Sequence, residues 1–342
     1  MVQQIKVLMT SNINAAQLNC LRSVSSRLNI VSKPREQGTW SRSDPSDIFE
    51  GDEEIFYGFM PPRNLSNAPH LKWVQLHSAG IDHLNNHPIL NSDVLLTTTS
   101  GIHAVPMGEF AIMMMLALAR HVPKMSKLQD RGEWPTTGKG VLRGSELRDK
   151  TFGVVGYGSI GREAARIAKQ GFKMRILAMT RTNKKEDGGY VEKDVGDPHG
   201  NLPDAWYGPQ QLIELLNQSD FVLITTPLTS QTRNLIGEAE LRAMRSSGYI
   251  MNVARGEVID ENALVRALKE HWIAGAGLDV FATEPLPATS PLWKLENVLI
   301  APHVSGDTPN YNDRALKLFA ENLKRYLNGE SLFNLVDKCV GY

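Results

Sequence analysis

A glycine-rich turn after an apolar run constrains the fold of this chain more than any other feature. The strand-like run FGVV leads directly into GYGSIG, and an amphipathic helix follows. In GxGxxG spacing the first glycine permits a tight turn, the second lets the backbone approach a pyrophosphate, and the third lets helix and strand pack closely. The spacing alone is a weak signal, but strand, turn and helix in succession predict a dinucleotide site. The residues of the turn are Gly156, Tyr157, Gly158, Ser159, Ile160 and Gly161.

Strand-like runs alternate with helical stretches along the whole chain. From residue 151 onward, six runs with intervening helices predict a doubly wound parallel sheet. Four shorter apolar runs in the first hundred residues, IKVLM, EIFYGF, LKWVQL and VLLTTT, predict a smaller parallel sheet that is buried on both faces. A long helix is predicted to start near Pro106 and to end by Pro123, because proline suits a first turn but stops a helix interior. A helix capped by Asp260 is predicted over ENALVRALKE, and a last helix over about 307–327. The chain is therefore predicted to be α/β with two Rossmann-like domains.

Composition narrows the classes of partner. The 342 residues suggest two domains, and Lys+Arg and Asp+Glu both total 37, which argues against broad binding to nucleic acid or an anionic membrane. The apolar run Phe110–Ala119 covers half of the roughly 20 residues that span a bilayer, so it predicts a buried helix. Cys20 and Cys339 have no metal-ligand spacing, and no signal peptide is evident, so a reduced cytoplasmic protein is expected.

The segment 182–209 interrupts the regular rhythm. It is polar and rich in glycine, aspartate and lysine, and it far exceeds the roughly 2 to 6 residues of an ordinary connection in such units. We expect a surface excursion or a partly disordered loop. The alternative is a role beside the cofactor.

Three charged residues follow consecutive predicted strands. Arg255 stands in NVARGEVID, Glu284 in LDVFATEPLP and His303 in APHVSG. The carboxyl ends of parallel strands surround the ligand crevice, so these side chains are expected to converge there. A guanidinium binds a carboxylate bidentately, an imidazole transfers a proton, and a neighbouring carboxylate orients the imidazole and favours its protonated form. Taken singly, Arg255 would be interpreted as an ion-pair partner, Glu284 as a loop charge and His303 as a hydrogen bonder at a strand end. Their shared position beside the predicted crevice favours a catalytic role.

These motifs resemble a known family. HSAGIDHL, VVGYGSIG, TTPLTSQTRNLI, MNVARGEVIDENALVRAL, GAGLDVFATEPLPATSPLW and NVLIAPHVSG resemble, in order, the signatures of the D-isomer-specific 2-hydroxyacid dehydrogenases. That family includes glyoxylate and hydroxypyruvate reductases. The resemblance implies a doubly wound nucleotide domain (105–306) inserted into a smaller flavodoxin-like substrate domain (1–104 and 307–342). It also implies a homodimer through the nucleotide domains, with RGEWPTTG (131–138) as an arm that reaches the partner.

The resemblance also implies residue roles. Arg255 would anchor the substrate carboxylate, His303 would be the acid/base, and Glu284 its partner. The backbone of Ser78, Ala79 and Gly80 would hold the other side of the carboxylate. On the cofactor, Asp279 would hold the nicotinamide carboxamide, with Thr226, Pro227, Val253 and Ala254 lining the site. Whether Phe59, Met60 and Met107 line the substrate pocket or pack in the core stays open.

The end of the second strand of the large sheet bears on the choice of cofactor. Thr180, 19 positions after Gly161, stands where NAD-using relatives carry an aspartate for the ribose hydroxyls. Without that acid, Arg181 can pair with a 2′-phosphate, while Thr182 adds a hydroxyl and Lys184 or Lys185 adds charge. This pattern predicts NADP(H) in preference to NAD(H). The other reading is an Arg181 that points into solvent beside bound NAD.

The leading hypothesis is NADPH-dependent reduction of a 2-keto acid to the D-2-hydroxy acid. A corepressor-like dinucleotide sensor and an NAD-dependent D-2-hydroxyacid oxidation are the alternatives. A formate dehydrogenase, which shares the fold, carries glutamine where this chain has Glu284. No metal is expected: His83 and His87 in HLNNH have i, i+4 spacing but lack the glutamate of HExxH and overlap the substrate loop.

Overall fold

The chain forms two compact units. The computed structural model describes residues 4–34, 43–136, 139–182 and 186–338. Of these described residues, the first unit takes those within 1–102, 188–192 and 308–342, and the second takes those within 103–187 and 193–307. Residues 188–192, which the sequence-based division assigns to the nucleotide domain, thus belong to the first unit.

The first unit is built on a five-stranded parallel sheet. Its strand order is β2-β1-β3-β4-β5, the order of flavodoxin-like sheets, as predicted. The strands are β1 (Ile5–Met9), β2 (Leu28–Ser32), β3 (Ile55–Gly58), β4 (Trp73–Leu76) and β5 (Leu95–Thr97). The helices are α1 (Ala15–Arg22) and α8 (Tyr311–Asn328). Strand β2 was not predicted, because its alternating sequence LNIVS carries no continuous apolar run.

The second unit is built on a seven-stranded parallel sheet. Its order, β12-β11-β10-β9-β6-β7-β8, is doubly wound, as predicted. The strands are β6 (Thr151–Val155), β7 (Arg175–Met179), β8 (Ala205–Tyr207), β9 (Phe221–Ile224), β10 (Tyr249–Asn252), β11 (Gly275–Leu278) and β12 (Val298–Ile300). The helices are α2 (Ala104–Ala119), α3 (Val122–Asp130), α4 (Ser159–Phe172), α5 (Leu212–Gln218), α6 (Glu238–Ala243) and α7 (Glu261–Lys269).

Local sequence features explain where α7 begins and why α2 and α3 are separate helices. The Asp260 side chain accepts the Ala263 N–H at 3.1 Å, which is the predicted cap of α7. The helix predicted to start near Pro106 and to end by Pro123 is α2, which ends at Ala119. His121 then adopts a left-handed conformation (φ +55°), and Pro123 lies in the first turn of a separate helix, α3. Proline suits a first turn because that position needs no N–H donor. The apolar segment of α2 is largely buried, as predicted.

None of the helices in the described ranges is by itself long and apolar enough to cross a membrane. The helices α2 and α3 reach that length and apolar composition only together, and they are bent by 67° at their junction.

The segment 182–209 is not a surface excursion over its described part. Strand β8 extends the large sheet at the edge beside β7. Asp197, only 6 % exposed, accepts N–H groups of Asn201 at 2.9 Å and Leu202 at 3.0 Å. In the first unit, Tyr190 is buried, and its N–H donates to the Asn334 side chain at 3.1 Å. Composition misled here because the segment is anchored by a few buried groups rather than by an apolar run.

Candidate functional site

The glycine turn after β6 has the geometry that close approach to a ligand requires. Gly156 has φ +100°, and a Cβ there would come within 2.8 Å of the Thr226 backbone nitrogen. A Cβ at Gly161 would come within 2.6 Å of the Val154 side chain, so only glycine lets α4 pack this closely on β6. Gly158 instead faces open space, and no side chain caps the N-terminus of α4. Free N–H groups at such a terminus bind phosphate.

The ends of neighbouring strands lie beside this turn. The Thr226 hydroxyl, beyond β9, is buried and has no hydrogen-bond partner among the described residues. Beyond β10, Val253 and Ala254 are buried, while Pro227 is exposed. A buried unpartnered hydroxyl beside an uncapped helix start suits a polar ligand that supplies the missing partner. These residues therefore fit a dinucleotide.

The tyrosine of the turn is fixed by the 182–209 segment. Tyr157 donates its hydroxyl proton to the Asp197 carboxylate at 2.9 Å, and the Arg162 guanidinium lies 4.9 Å from the Tyr157 ring centroid. Arg162 also donates to the Asp197 backbone oxygen at 2.5 Å. Burial, reinforced by the Asp197 carboxylate, raises the pKa of Tyr157 well above its ordinary value. Sequence reasoning missed Arg162 and Asp197, since nothing local to either residue signals the contact.

The chain beyond β7 carries no carboxylate at residues 180–182. The Thr180 N–H donates to the Tyr207 oxygen of β8 at 3.1 Å, so the segment also shapes this strand end. The Thr180 hydroxyl donates to the Thr182 oxygen at 2.5 Å. Arg181 and Thr182 are exposed, whereas Lys184 and Lys185 lie outside the described residues.

The structure brings the loops of Arg255, Glu284 and His303 together at the carboxyl ends of the strands of the large sheet. They follow β10, β11 and β12, which are adjacent in the sheet. Asn252, not predicted from the sequence, shapes the first loop: its side chain donates to the Arg255 oxygen at 2.9 Å and accepts the Ala254 N–H at 3.0 Å. The Arg255 guanidinium donates to the Ala254 oxygen at 2.8 Å.

These loops interlock. A Cβ at Gly256 would come within 1.9 Å of the Phe281 carbonyl carbon, so the Arg255 loop packs directly on the Glu284 loop. The Phe281 N–H donates to Glu284 Oε1 at 3.0 Å. Glu284 Oε2 lies 2.7 Å from His303 Nδ1. The His303 side chain is 51 % exposed, so its ring can meet a small ligand from solvent.

Asp279 fixes the loop that carries the histidine. The residue is fully buried, and its two carboxylate oxygens accept the N–H groups of Val304 at 2.8 Å and Ser305 at 3.0 Å. Its backbone oxygen accepts the His303 N–H at 2.9 Å, which holds His303 at φ +55°. This role was not predicted, and the contact with nicotinamide that the resemblance implies for Asp279 stays a prediction.

The loop Ser78–Gly80 lies in the first unit, directly beyond β4. Ser78 is buried, and its hydroxyl donates to the Gly80 oxygen at 2.9 Å. Ala79 and Gly80 are half-buried. Backbone N–H groups at such a strand end can bind a carboxylate.

The three candidate pocket residues differ in burial. Met60 belongs to the apolar core of the first unit, which favours packing over a pocket role. Phe59 is half-buried and stacks on the His83 ring with centroids 4.4 Å apart. Met107, in the second unit, is partly buried; its sulfur would lie 3.8 Å from a Cβ at Gly306.

The histidine pair that was set aside as a metal site serves local contacts. His83 Nε2 lies 3.1 Å from the Phe59 oxygen. His87 Nδ1 accepts the Ile89 N–H at 3.2 Å and so caps a short 3-10 turn.

Fold and site together define a dinucleotide-binding α/β oxidoreductase. Residues 112–305 match the sequence model of the D-isomer specific 2-hydroxyacid dehydrogenase NAD binding domain. The chain belongs to this family, as its motifs predicted.

Similar proteins are known in sequence and in structure. The chain is 36 % identical to the glyoxylate reductase of Thermococcus litoralis over 81 % of this chain and 80 % of that one. It is 38 % identical to the glyoxylate reductase of Pyrococcus furiosus over 84 % of this chain and 79 % of that one. A D-isomer specific 2-hydroxyacid dehydrogenase from Xanthobacter autotrophicus, solved with NADPH and MES, is 28 % identical, covers 99 % of this chain and 100 % of its own, and has a TM-score of 0.79.

Proposed function

We propose that the protein reduces a 2-keto acid to the D-2-hydroxy acid with NADPH. The observation that carries this proposal is the Glu284–His303 pair, whose Oε2 and Nδ1 atoms lie 2.7 Å apart. The pair lies at the carboxyl ends of the strands, the same side of the large sheet as the loop of Arg255 and the glycine turn. A proton donor and a fixed guanidinium are the groups that reduction of a carbonyl beside a carboxylate requires.

Each side chain has a defined part in this reaction. Arg255 binds the substrate carboxylate and polarises the adjacent carbonyl, and the backbone of Ser78, Ala79 and Gly80 binds the carboxylate as well. The bound nicotinamide supplies the hydride. His303, whose Nδ1 faces Glu284, gives the proton on Nε2 to the carbonyl oxygen. Glu284 stabilises the imidazolium before transfer and orients the ring throughout.

The preference for NADPH rests on residues 180–182. The absence of a carboxylate there removes the repulsion that a 2′-phosphate would meet, and Arg181 offers a planar fork to that phosphate. The Xanthobacter relative, whose structure contains NADPH, agrees with this choice. Lys184 and Lys185, proposed as additional charge, are outside the described residues.

The relatives and two candidate pocket residues support the proposed substrate class. Two relatives are glyoxylate reductases, so glyoxylate and hydroxypyruvate are the first candidates. The half-buried Phe59 and Met107 favour acceptance of larger apolar 2-keto acids too.

A panel of 2-keto acids, each assayed with NADPH and with NADH, tests the proposed function. We expect turnover of glyoxylate or hydroxypyruvate, with NADPH at least roughly tenfold better in kcat/KM because a charge-assisted contact contributes about 1.5 to 3 kcal/mol. Nucleotide binding without turnover of any 2-keto acid would instead support a corepressor-like sensor. A clear preference for NAD with D-2-hydroxy acids would support the oxidative alternative.

The proposal includes a homodimer through the second unit. Exposed apolar side chains occur in consecutive elements there: Met113 of α2, Val122 and Met125 of α3, and Trp134, which is 83 % exposed. Such apolar surface is typical of an interface. Trp134 belongs to the expected arm 131–138, of which residues 137 and 138 lie outside the described ranges. Light scattering coupled to gel filtration should give twice the chain mass, and a monomer would contradict this part.

A further inference from the structure

A buried polar cluster lies directly below the loop Ser78–Gly80 in the first unit. His77, the residue before the loop, is 1 % exposed, and its neighbours Tyr57 and Tyr311 are 0 % and 8 % exposed. Tyr57 belongs to β3, and Tyr311 is the first residue of α8. These three residues, here called the tyrosine–histidine cluster, take no part in the chemistry described above.

The cluster holds His77 from two sides. The Tyr311 hydroxyl donates to the His77 backbone oxygen at 2.5 Å. The Tyr57 hydroxyl lies 2.6 Å from His77 Nδ1. The Tyr57 and Tyr311 rings meet the imidazole edge-on, with centroid distances of 5.5 Å and 5.0 Å. Backbone and ring of His77 are thus both fixed by hydroxyls from separate elements.

Backbone hydrogen bonds carry this restraint into the loop. The His77 N–H donates to the Gly58 oxygen at 2.9 Å, and the Ser78 oxygen accepts the Thr99 N–H at 2.9 Å. The Thr99 hydroxyl lies 3.5 Å from the Tyr311 hydroxyl. The backbone at the base of the loop is therefore held by hydrogen bonds on both sides, while Ala79 and Gly80 remain half-buried at its tip.

Burial preserves the donors of the cluster. It raises the pKa of both Tyr57 and Tyr311 well above the ordinary value, so each hydroxyl keeps its proton at neutral pH. Removing the Tyr311 hydroxyl would leave the buried His77 oxygen without this donor. A buried carbonyl that loses its partner favours a shift of the backbone towards water or another donor. Here that shift would turn the first peptide of the loop.

We propose that Tyr57, His77 and Tyr311 are positioning residues that hold the Ser78–Gly80 backbone in the orientation that binds the substrate carboxylate. This inference rests on the proposed function, which assigns that loop to the carboxylate. None of the three touches the reacting atoms, so they act on substrate affinity rather than on the chemical step.

Tyr311→Phe is the test, and Tyr326→Phe is its matched control. Tyr326 lies on the same helix, and its hydroxyl also donates to a side chain, the partly buried Glu54 at 2.7 Å, but among the described residues it has no hydrogen bond to the loop. In Tyr311→Phe we expect KM for glyoxylate to rise roughly tenfold, the factor that about 1.4 kcal/mol represents. The value of kcat should change less than twofold, and the Kd for NADPH should stay the same. Tyr326→Phe should leave all three unchanged.

Direct binding separates a positioning role from a loss of stability. The Kd for oxamate, an unreactive carboxylate analogue, measured by calorimetry in the presence of NADPH, should rise with KM in Tyr311→Phe. If that variant does not fold, Tyr57→Phe serves instead, with the same expected pattern. An active wild type with unchanged KM and oxamate Kd in the variant overturns this inference alone. A wild type that turns over no 2-keto acid overturns the proposed function and this inference with it.

Discussion

The two oxygens of the Glu284 carboxylate contact two different partners, the His303 imidazole and the Phe281 backbone. Oε2 lies 2.7 Å from Nδ1 of His303, and Oε1 accepts the Phe281 N–H at 3.0 Å. The hydrogen bond from the Phe281 N–H fixes the Glu284 carboxylate within its own loop. Because the carboxylate is fixed, its contact with Nδ1 orients the His303 imidazole. A carboxylate on Nδ1 leaves Nε2 as the nitrogen that meets the substrate.

Glu284→Gln should therefore lower kcat by roughly ten- to a hundredfold while KM changes little, since a neutral amide can orient the ring but stabilises the imidazolium poorly. Steady-state kinetics with glyoxylate and NADPH measure this effect. Glu261→Gln is the matched control, because Glu261 also accepts a backbone N–H of the same loop, that of Ala282 at 3.1 Å. Equal losses in both variants would show that the loop, and not the Glu284–His303 pair, is responsible.

Arg181→Ala should erode the preference for NADPH. We expect kcat/KM with NADPH to fall by at least roughly tenfold, with kinetics for NADH nearly unchanged, because the lost contact is to the 2′-phosphate alone. Arg175→Ala is the control: Arg175 is also exposed but lies at the opposite end of β7. Equal efficiency with both cofactors in the wild type would contradict the role of Arg181 outright.

Asp197→Ala should weaken both stability and nucleotide binding. The change removes the acceptor of the Tyr157 hydroxyl and of the Asn201 and Leu202 N–H groups, all at 2.9 to 3.0 Å. Leaving the buried Tyr157 hydroxyl unpaired costs about 1 to 3 kcal/mol, and the glycine turn would lose the side-chain anchor of Tyr157. Urea unfolding and calorimetry with NADPH measure the two effects. Glu186→Ala, an exposed acid of the same segment, should change neither, and an unaffected Asp197→Ala would contradict the anchoring role.

Much of the fold was predictable because buried parallel strands leave continuous apolar runs. The predicted strand RILAM has the same first and last residues as β7, and the spacing of Gly156, Gly158 and Gly161 located the turn. Arg255, Glu284 and His303 could be grouped because strand order alone brings β10, β11 and β12 side by side. Here local sequence and topology agree.

The rest depends on contacts between distant residues. Strand β8 has only three residues and lies in a polar segment, so no long apolar run indicates it in the sequence. His77 and Tyr311 are 234 positions apart, and neither carries a local signal of the other. Met60 was left open between pocket and core, since one apolar residue at a strand end fits both; burial decides for the core. Such assignments need the folded chain.

The most direct measurement is the NADPH oxidation rate of His303→Ala with glyoxylate, beside the wild type and His271→Ala. His271 is an exposed histidine with the same left-handed backbone conformation, φ +55°, so it controls for the loss of a histidine at a strained position. The account predicts that His303→Ala loses roughly a hundredfold or more in kcat, the usual scale for a general acid, while it binds NADPH as tightly as the wild type. Wild-type turnover in His303→Ala would contradict the account.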